Sequence, residues 1–482
     1  MNFSEYFHNY VKTYHLSIPK LAQAAGINRS VLYRYITGER VPQKLAIVQS
    51  LADAMCMNSE ERSEFLEAYD RAYFGDDVVN SYLYMHALIK TLNNADYLNN
   101  PHIGLDEEYF SQAFSESDEF VPLKSSHSIV TYAMRLLENC KDNRIMLLMQ
   151  PTYAEIQNLL LPILGDKDVA VEQIVCFEKT LEKCYINLDI LKYVLPHSFN
   201  LKSYNVYYHY DNIDSHINKQ TLFPNLILTD NGLLLFDYDM QEGFFSANFK
   251  FVRSLTERFE YFKKTCFTLL EKGNYAANIE QMNRELMIKE IGTIFNQPCL
   301  AQCFDQKILN EAIFDYPEKE SFVKEIFYRY GDWNGLEMLD DNAIVDCIIT
   351  CCTKNGIRKF AEKGRIDEFP EEYYRPLTIS ERIVILERVL ILCEKEKCKY
   401  YVLREDLLMP ENVQIYYAPT EKFVFFRHIS KDNLRQINIK ETSIFNTVVN
   451  SIKYLEEKNL ILSQEEFKAF IKETIENLKK LL

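Results

Sequence analysis

One glycine, Gly26, sits between two short stretches of helical apolar spacing, and it constrains the start of this chain more than any other residue. Before it, Ile18, Leu21, Ala22 and Ala25 fall on one side of a helix predicted to end near residue 25. Ser17 stands at the N-cap position of that helix and Pro19 fits its first turn. Gly26 ends it, because glycine takes the left-handed C-terminal conformation at little cost. Ile27 then plugs the turn and Asn28 is the next N-cap. A further helix is predicted over about 29–37, with Val31, Leu32, Tyr35 and Ile36 as candidates for its buried side and Gly38 closing it. Ala22, Ala24 and Ala25 are small enough to let the two helices approach closely. Two short helices around a tight glycine turn are the helix-turn-helix plan.

Three more helices complete this domain. Phe3, Phe7, Tyr10, Val11 and Tyr14 recur at helical spacing over 2–15, and Leu45, Ile47, Val48, Leu51 and Ala52 do so over 43–55. Asn58 with Glu61 is a capping-box-like pair that opens a fifth helix carrying Phe65, Leu66 and Tyr69. Charge separates this region from the rest. Residues 1–57 hold Lys12, Lys20, Arg29, Arg34, Arg40 and Lys44 against Glu5, Glu39 and Asp53, about +3, which leaves the remainder of a chain of net charge −16 at −19. That balance excludes a general nucleic-acid coat and suits a protein that meets phosphate in one place only.

The segment 17–42 resembles the Cro/phage-repressor (XRE) family of transcriptional regulators. The resemblance is carried by Leu21-Ala22, Gly26-Ile27, Arg29-Ser30, Gly38, Pro42 and Leu51-Ala52, and it spans residues 1–74. It implies that the helix at 29–37 enters the major groove of double-stranded DNA. Carried over position by position, Asn28, Arg29, Ser30, Tyr33 and Arg34 form the reading face. Arg29 would pair with guanine O6 and N7, and Ser30 would reach a base or a phosphate. Tyr33 would touch a thymine methyl or press on the sugar backbone. Lys20, Arg40 and Lys44 are candidates for phosphate contact, which gives affinity without sequence information. A head this weakly basic binds poorly alone, so a homodimer on a palindromic operator is expected.

The fold class expected is multidomain α+β: a five-helix DNA-binding domain at 1–74, a linker helix and acidic connection at 75–126, and a large mixed α/β region. That region divides into a first α/β lobe at 127–278, a mainly helical segment at 279–379 and a second α/β lobe at 380–482. In the first lobe, 144–150 reads as a buried strand, 153–164 and 169–186 as helices, and 204–210 as an alternating strand. Asp230-Asn231-Gly232 between two apolar runs signals a hairpin. The second lobe repeats the order helix, strand, hairpin, helix, and 225–228 lines up loosely with 412–415, which suggests a degenerate duplication enclosing a ligand cleft.

The sequence supplies no catalytic constellation. It has no phosphate loop, no dinucleotide-binding glycine motif, no nucleophile elbow and no His-Glu-x-x-His, so no catalytic residue, metal or cofactor is assigned. Tandem α/β lobes are similar to phospholipase-D-like folds, which need His-x-Lys motifs. His216 with Lys219 and His428 with Lys431 have the wrong spacing, so that likeness implies lobes without the catalysis. Asp237 and Asp239 read as a solvated strand end sooner than a cation site, His209 as a packed strand residue, and 356–365 as a charged, loop-rich face. The twelve cysteines are scattered, with Cys347, Cys351 and Cys352 placed on one helix, and they read as buried apolar residues in a reducing cytoplasm. No run of about 20 apolar residues spans a membrane. The expected function is a sequence-specific regulator whose large region senses a small molecule or peptide, fixes a dimer, or both. The competing readings are an enzyme or defence-type effector with an accessory DNA-binding domain, and an antitoxin-like protein binder.

Overall fold

A computed structural model describes residues 2–94, 120–140, 144–179, 183, 185–211, 222–273, 289–315, 319–320, 323–324, 331–339, 345–368, 371–404, 409, 413–430 and 433–482. Most of the acidic connection expected before residue 126 lies outside them, as do His216, Lys219 and Lys431. The chain forms two compact units: Met1–Leu83 with Val449–Tyr454, and Tyr84–Val448 with Leu455–Leu482.

The first unit is helical. Its elements are α1 (Phe3–Thr13), α2 (Ile18–Ala24), α3 (Arg29–Thr37), α4 (Leu45–Ala54), α5 (Ser59–Phe74) and the start of α6 (Asp76–Asn93). Phe3, Phe7, Leu21, Leu32, Tyr35, Val48, Leu51, Phe65 and Tyr69 meet in one core. Asn2 with Glu5 and Asn58 with Glu61 are reciprocal capping boxes that satisfy the first free N–H groups of α1 and α5. Tyr454 belongs to this unit, where its hydroxyl donates to the buried Asp70 carboxylate at 2.7 Å.

The second unit holds two mixed sheets. The first contains β1 (Val121–Leu123), β2 (Arg144–Leu148), β3 (Ala170–Glu178), β4 (Ser203–Asp211), β5 (Asn225–Thr229), β6 (Gly232–Phe236), β7 (Gly243–Ser246) and β8 (Phe267–Thr268), in the order β1-β7-β6-β5-β2-β3-β4-β8. Then come β9 (Glu271–Gly273) and β10 (Glu290–Ile294), a separate hairpin of β11 (Asp332–Asn334) and β12 (Glu337–Leu339), and β13 (Cys347–Thr353), β14 (Cys398–Leu403), β15 (Val413–Ala418), β16 (Phe423–Ser430) and β17 (Asn433–Ile439). The second sheet runs β9-β17-β16-β15-β10-β13-β14 when read from the same edge.

The two sheets repeat one another. β2, β3 and β4 are parallel, as are β10, β13 and β14, and the shared pairings on the other side are all antiparallel. Register repeats as well. The pair Met146–Leu228 answers Gly292–Tyr417, Phe236–Gly243 answers Arg427–Gln436, and Val121–Phe245 answers Glu271–Asn438. Parallel neighbours cannot be joined by a tight turn. The helix Tyr185–Asn200 therefore joins β3 to β4, while Lys354–Lys363 and Ile379–Glu394 join β13 to β14. After the antiparallel meander of each sheet comes a long helix, Phe249–Lys263 or Thr442–Glu457.

Several expectations are corrected here. The helix expected over 169–186 is the strand β3, buried along nearly its whole length between two parallel neighbours, so its sequence lacks a period-two signal. Cys347, Cys351 and Cys352 lie on the strand β13 for the same reason. The mainly helical connection expected at 279–379 instead supplies β10 and β13 to the second sheet. Residues 153–164 form two short helices, Ala154–Gln157 and Leu160–Leu164, in place of one. Asp237 and Asp239 sit in the turn after β6, where the Asp237 carboxylate accepts the Gln241 N–H at 2.8 Å, so they share no strand face. Most of the supposed loop 356–365 is the helix Lys354–Lys363, capped at its start by the Thr353 hydroxyl and ended by Gly364 at φ +64°. His209 is indeed a strand residue, packed at 5.1 Å against Phe262.

Gly356 shows how closely that helix is seated. A Cβ there would lie 1.8 Å from the Asn296 carbonyl oxygen in the loop after β10. Asn296 in turn accepts the Thr353 hydroxyl at 2.6 Å. Gly356→Ala is therefore expected to destabilise the second sheet by about 3 kcal/mol, since backbone must shift to make room. Trp333, the single tryptophan, is buried nearby in sequence on β11 and donates to the Gln302 carbonyl at 2.9 Å. Its fluorescence during urea unfolding would report the loss.

Candidate nucleic-acid interface

The first unit is built to hold α3 at its surface. Ser17 precedes α2 in extended conformation, but its side chain makes no capping bond, contrary to the sequence reading; its carbonyl accepts the Leu21 N–H instead, and Pro19 needs no partner in the first turn. Gly26 takes φ +65° with open space around it, so the left-handed backbone alone selects glycine there. The chain then turns back far enough for the Ile27 N–H to reach the Ala22 carbonyl at 3.0 Å. Ile27 packs against the core, as a plug in the turn should.

Asn28 fixes the start of α3. Its side-chain oxygen accepts the Ser30 N–H at 2.9 Å and the Ser30 hydroxyl at 2.8 Å. Leu32, Tyr35 and Ile36 are buried on one side of the helix, and Val31 is half-buried. Arg29, Ser30, Tyr33 and Arg34 are exposed on the other. Gly38 at φ +80° ends the helix, and the Arg40 N–H returns to the Arg34 carbonyl at 3.2 Å. Lys20 on α2, Arg40 after α3 and Lys44 at the N-cap of α4 are also exposed. Among the described residues, Lys20, Arg29, Arg40 and Lys44 form no salt bridge.

Asn28, Arg29, Ser30, Tyr33, Arg34 and Glu39 line a shallow open depression of about 500 Å³. The structure thus brings five of the eight sequence-derived residues together and leaves Lys20, Arg40 and Lys44 outside its lining. Glu39 is the member that the sequence reading missed. It accepts the Thr37 hydroxyl at 3.1 Å and lies 4.0 Å from Arg34, with both charged side chains well exposed. An exposed pair at that distance holds Arg34 only weakly. The available signal was the left-handed Gly38, which folds the chain after α3 back beside it. Chemically, the depression offers guanidinium donors, a phenol edge and one carboxylate acceptor.

A second cluster in this unit is tied by one carboxylate. Glu61 Oε2 accepts the Asn58 N–H and the Tyr10 hydroxyl, each at 3.0 Å, and Oε1 accepts the Tyr14 hydroxyl at 2.7 Å. The Asn58 N–H, then the Tyr14 hydroxyl, hold its pKa below the ordinary glutamate value. This linkage clamps α1, on which α3 packs, to the start of α5.

No family model matches the chain, and no curated protein matches it in sequence. Among solved structures it is similar to TrmBL2, an archaeal chromatin protein whose structure shows a novel mode of DNA binding, at 12% identity and a TM-score of 0.23 over 54% of this chain and 92% of that one. It is also similar to phosphatidylserine synthase from Haemophilus influenzae Rd KW20, at 10% identity and 0.21 over 76% and 94%. Polyphosphate kinase from Porphyromonas gingivalis matches at 11% identity and 0.24 over 75% and 55%. Likeness at TM-scores this low assigns neither a family nor an activity. Among the described residues, no helix is long and apolar enough to cross a membrane.

Two outcomes follow from the bonding pattern. Asn28→Ala should cost about 1 kcal/mol of stability through the lost cap, while Arg29→Ala should change it by less than about 0.5 kcal/mol; thermal melts of the two variants would separate cap from reader. A carboxylate with a depressed folded pKa stabilises the fold above its unfolded value, and that contribution is lost as pH falls through the folded one. The stability advantage of the natural chain over Glu61→Gln should therefore shrink as pH falls below the ordinary carboxylate range, followed by tyrosine circular dichroism across an acid titration.

Proposed function

We propose that this chain is a cytoplasmic DNA-binding transcription regulator that reads duplex DNA with α3. The observation that carries the reading is the two-sided character of that helix. Leu32, Tyr35 and Ile36 complete the core of the first unit, while Arg29, Ser30, Tyr33 and Arg34 serve no packing there and stand in solvent around an open depression. On this reading Arg29 takes a guanine edge and Arg34 a neighbouring base or phosphate. Glu39 accepts from a cytosine amine or, if none is there, disfavours the position by repulsion. Lys20, Arg40 and Lys44 neutralise phosphates to either side and set register.

Asn28 acts differently from the other seven. Its side-chain oxygen is occupied by Ser30, so it orients the reading helix and fixes the Ser30 hydroxyl. The two-sheet unit binds rather than catalyses on this reading. It senses a small molecule or peptide, holds the dimer, or does both, and effector binding alters operator affinity through the spacing of two heads. A head of about +3 needs such pairing, because each neutralised phosphate adds only one increment of salt-dependent affinity.

Selection of random duplexes by the full chain is expected to return a palindromic site. At that site Arg29→Ala should cost about 1–3 kcal/mol and blur one base position. Lys20→Ala and Lys44→Ala should weaken binding uniformly and lower the salt slope by about one each, per head. No enriched site, or unchanged affinity and base preference in Arg29→Ala, would refute the assignment of α3.

A further inference from the structure

The repeated sheets allow each surface of the first repeat to be compared with its counterpart in the second. One surface differs sharply. In the first repeat Phe120, Phe244 and Phe251 form a continuous aromatic strip across β1, β7 and the start of the helix Phe249–Lys263. Phe120 stacks on Phe244 at 4.9 Å, and Phe244 lies parallel to Phe251 at 6.4 Å. Phe223 meets Phe244 edge-on at 5.5 Å. Phe120 is 61% exposed and Phe251 38%.

Strand register places Leu270 and Ile437 where the first repeat has Phe120 and Phe244. Helix capping places Ile444 opposite Phe251: Asn248 accepts the Phe251 N–H as Glu441 accepts the Ile444 N–H. These counterparts are apolar too, but Leu270, Ile437 and Ile444 are 4%, 1% and 0% exposed. What covers that side of the second repeat is the first repeat's own crossover helix and strand end. Asn187 donates to the Ser443 hydroxyl at 2.9 Å, and the Tyr210 hydroxyl donates to Glu441 at 2.6 Å. Arg435 donates to the carbonyls of Phe199 and Leu201, and the Phe199 ring stacks on His428 at 5.1 Å. The surface is thus one that this fold buries where it has a partner.

The same partner cannot come from the second repeat of another chain. The counterpart of Tyr185–Asn200 there is Ile379–Glu394, and the C-terminal helix Gln464–Lys479 packs on it through Phe467, Ile471, Ile475 and Leu478. A second chain adding head-to-tail there would meet a helix already carrying its own partner. What remains open to an apolar strip is a symmetric contact with itself, the isologous arrangement of a closed two-fold dimer. A contiguous aromatic surface is also the composition found at the centre of such interfaces.

We infer that Phe120, Phe244 and Phe251 form the core of a homodimer interface, the strip of one chain packing on that of a second copy. The inference stands on the repeat and not on DNA reading, though it supplies the pairing that reading requires. Without DNA, at micromolar concentration, sedimentation velocity of the full chain should give twice the mass of one chain. The double variant Phe120→Glu/Phe251→Glu should sediment as a single chain, with circular dichroism and Trp333 emission unchanged. Phe314→Glu, which alters an aromatic 52% exposed in the second repeat, should stay dimeric. If the double variant misfolds, Phe251→Gln alone should raise the dissociation constant about tenfold. A monomeric natural chain, a dimer indifferent to the strip substitutions, or one equally broken by Phe314→Glu overturns the inference. A dimer that selects no DNA sequence overturns the regulator reading and leaves this one intact.

Discussion

Parallel pairing is the constraint from which the second unit follows. Once β2, β3 and β4 run in one direction, each connection must cross a face of the sheet, and a helix is the compact way to do so. Those helices bury the faces of the parallel strands and leave the antiparallel meander β5-β6-β7 to finish the sheet at its other side. β1 then pairs with β7 and closes that edge. The second sheet solves the same problem in the same order, with β9 closing β17. An edge left open would offer unpaired N–H and C=O groups to any passing strand. In this fold a three-residue strand from the start of each repeat takes the edge position and leaves only a short run of such groups open.

The identity of register between the repeats gives the side chains meaning beyond their own surroundings. Asn225 and Gln414 occupy the same place, both buried, both amides that donate to backbone carbonyls: Asn225 to Asp237 at 3.1 Å, Gln414 to Asp367. Phe236 and Arg427 occupy another shared place, and there the repeats part. Arg427 is buried and lies 5.0 Å over the Tyr416 ring, which stacks on Phe425 at 4.4 Å. His428 beside it has its pKa pushed down to about 4 by burial, with the Arg435 charge adding to the shift, so it is neutral at ordinary pH. A neutral, stacked histidine serves packing between the repeats.

Much of this was legible in the sequence, and the parts that were not share a cause. Helices α1 to α5 of the first unit are written in apolar spacing, in Gly26 and Gly38, and in the Asn58–Glu61 pair, all local signals that need no knowledge of the rest of the chain. The hairpin of β5 and β6 was equally local: Asp230 and Asn231 form its two-residue loop, and Gly232 pairs with Thr229 as the first residue of the returning strand. The central strands failed because both of their faces are covered. Ala170–Glu178 and Cys347–Thr353 show apolar runs without alternation, which a helix and a doubly buried strand share. Missing β13 turned the region before it into a helical connection and hid half of the second sheet. The loose match of 225 with 412 came close, since register sets Asn225 against Gln414, two residues further on. For the candidate interface, α3 and its exposed residues were legible, while Glu39 was not, because its place depends on the direction the chain takes after Gly38.

The weak charge of the first unit and the bare strip of the second bear on each other through energetics. On the proposed reading, a helix with two arginines, and three further cations near it, would neutralise only a few phosphates, so one head would gain little over competing DNA. Raising the charge would strengthen every site alike. Joining two heads multiplies the gain only where both half-sites are present, so pairing adds discrimination as well as affinity. The inferred interface suits that role: Phe120, Phe244 and Phe251 would bury large apolar area on contact and lose few rotamers in doing so. The second repeat has spent its equivalent surface on holding the two sheets together, through Arg435, Glu441 and Ser443. On the inference drawn above, one repeated fold uses the same surface in two ways: as the internal joint of the unit in the second repeat, and as an external joint in the first.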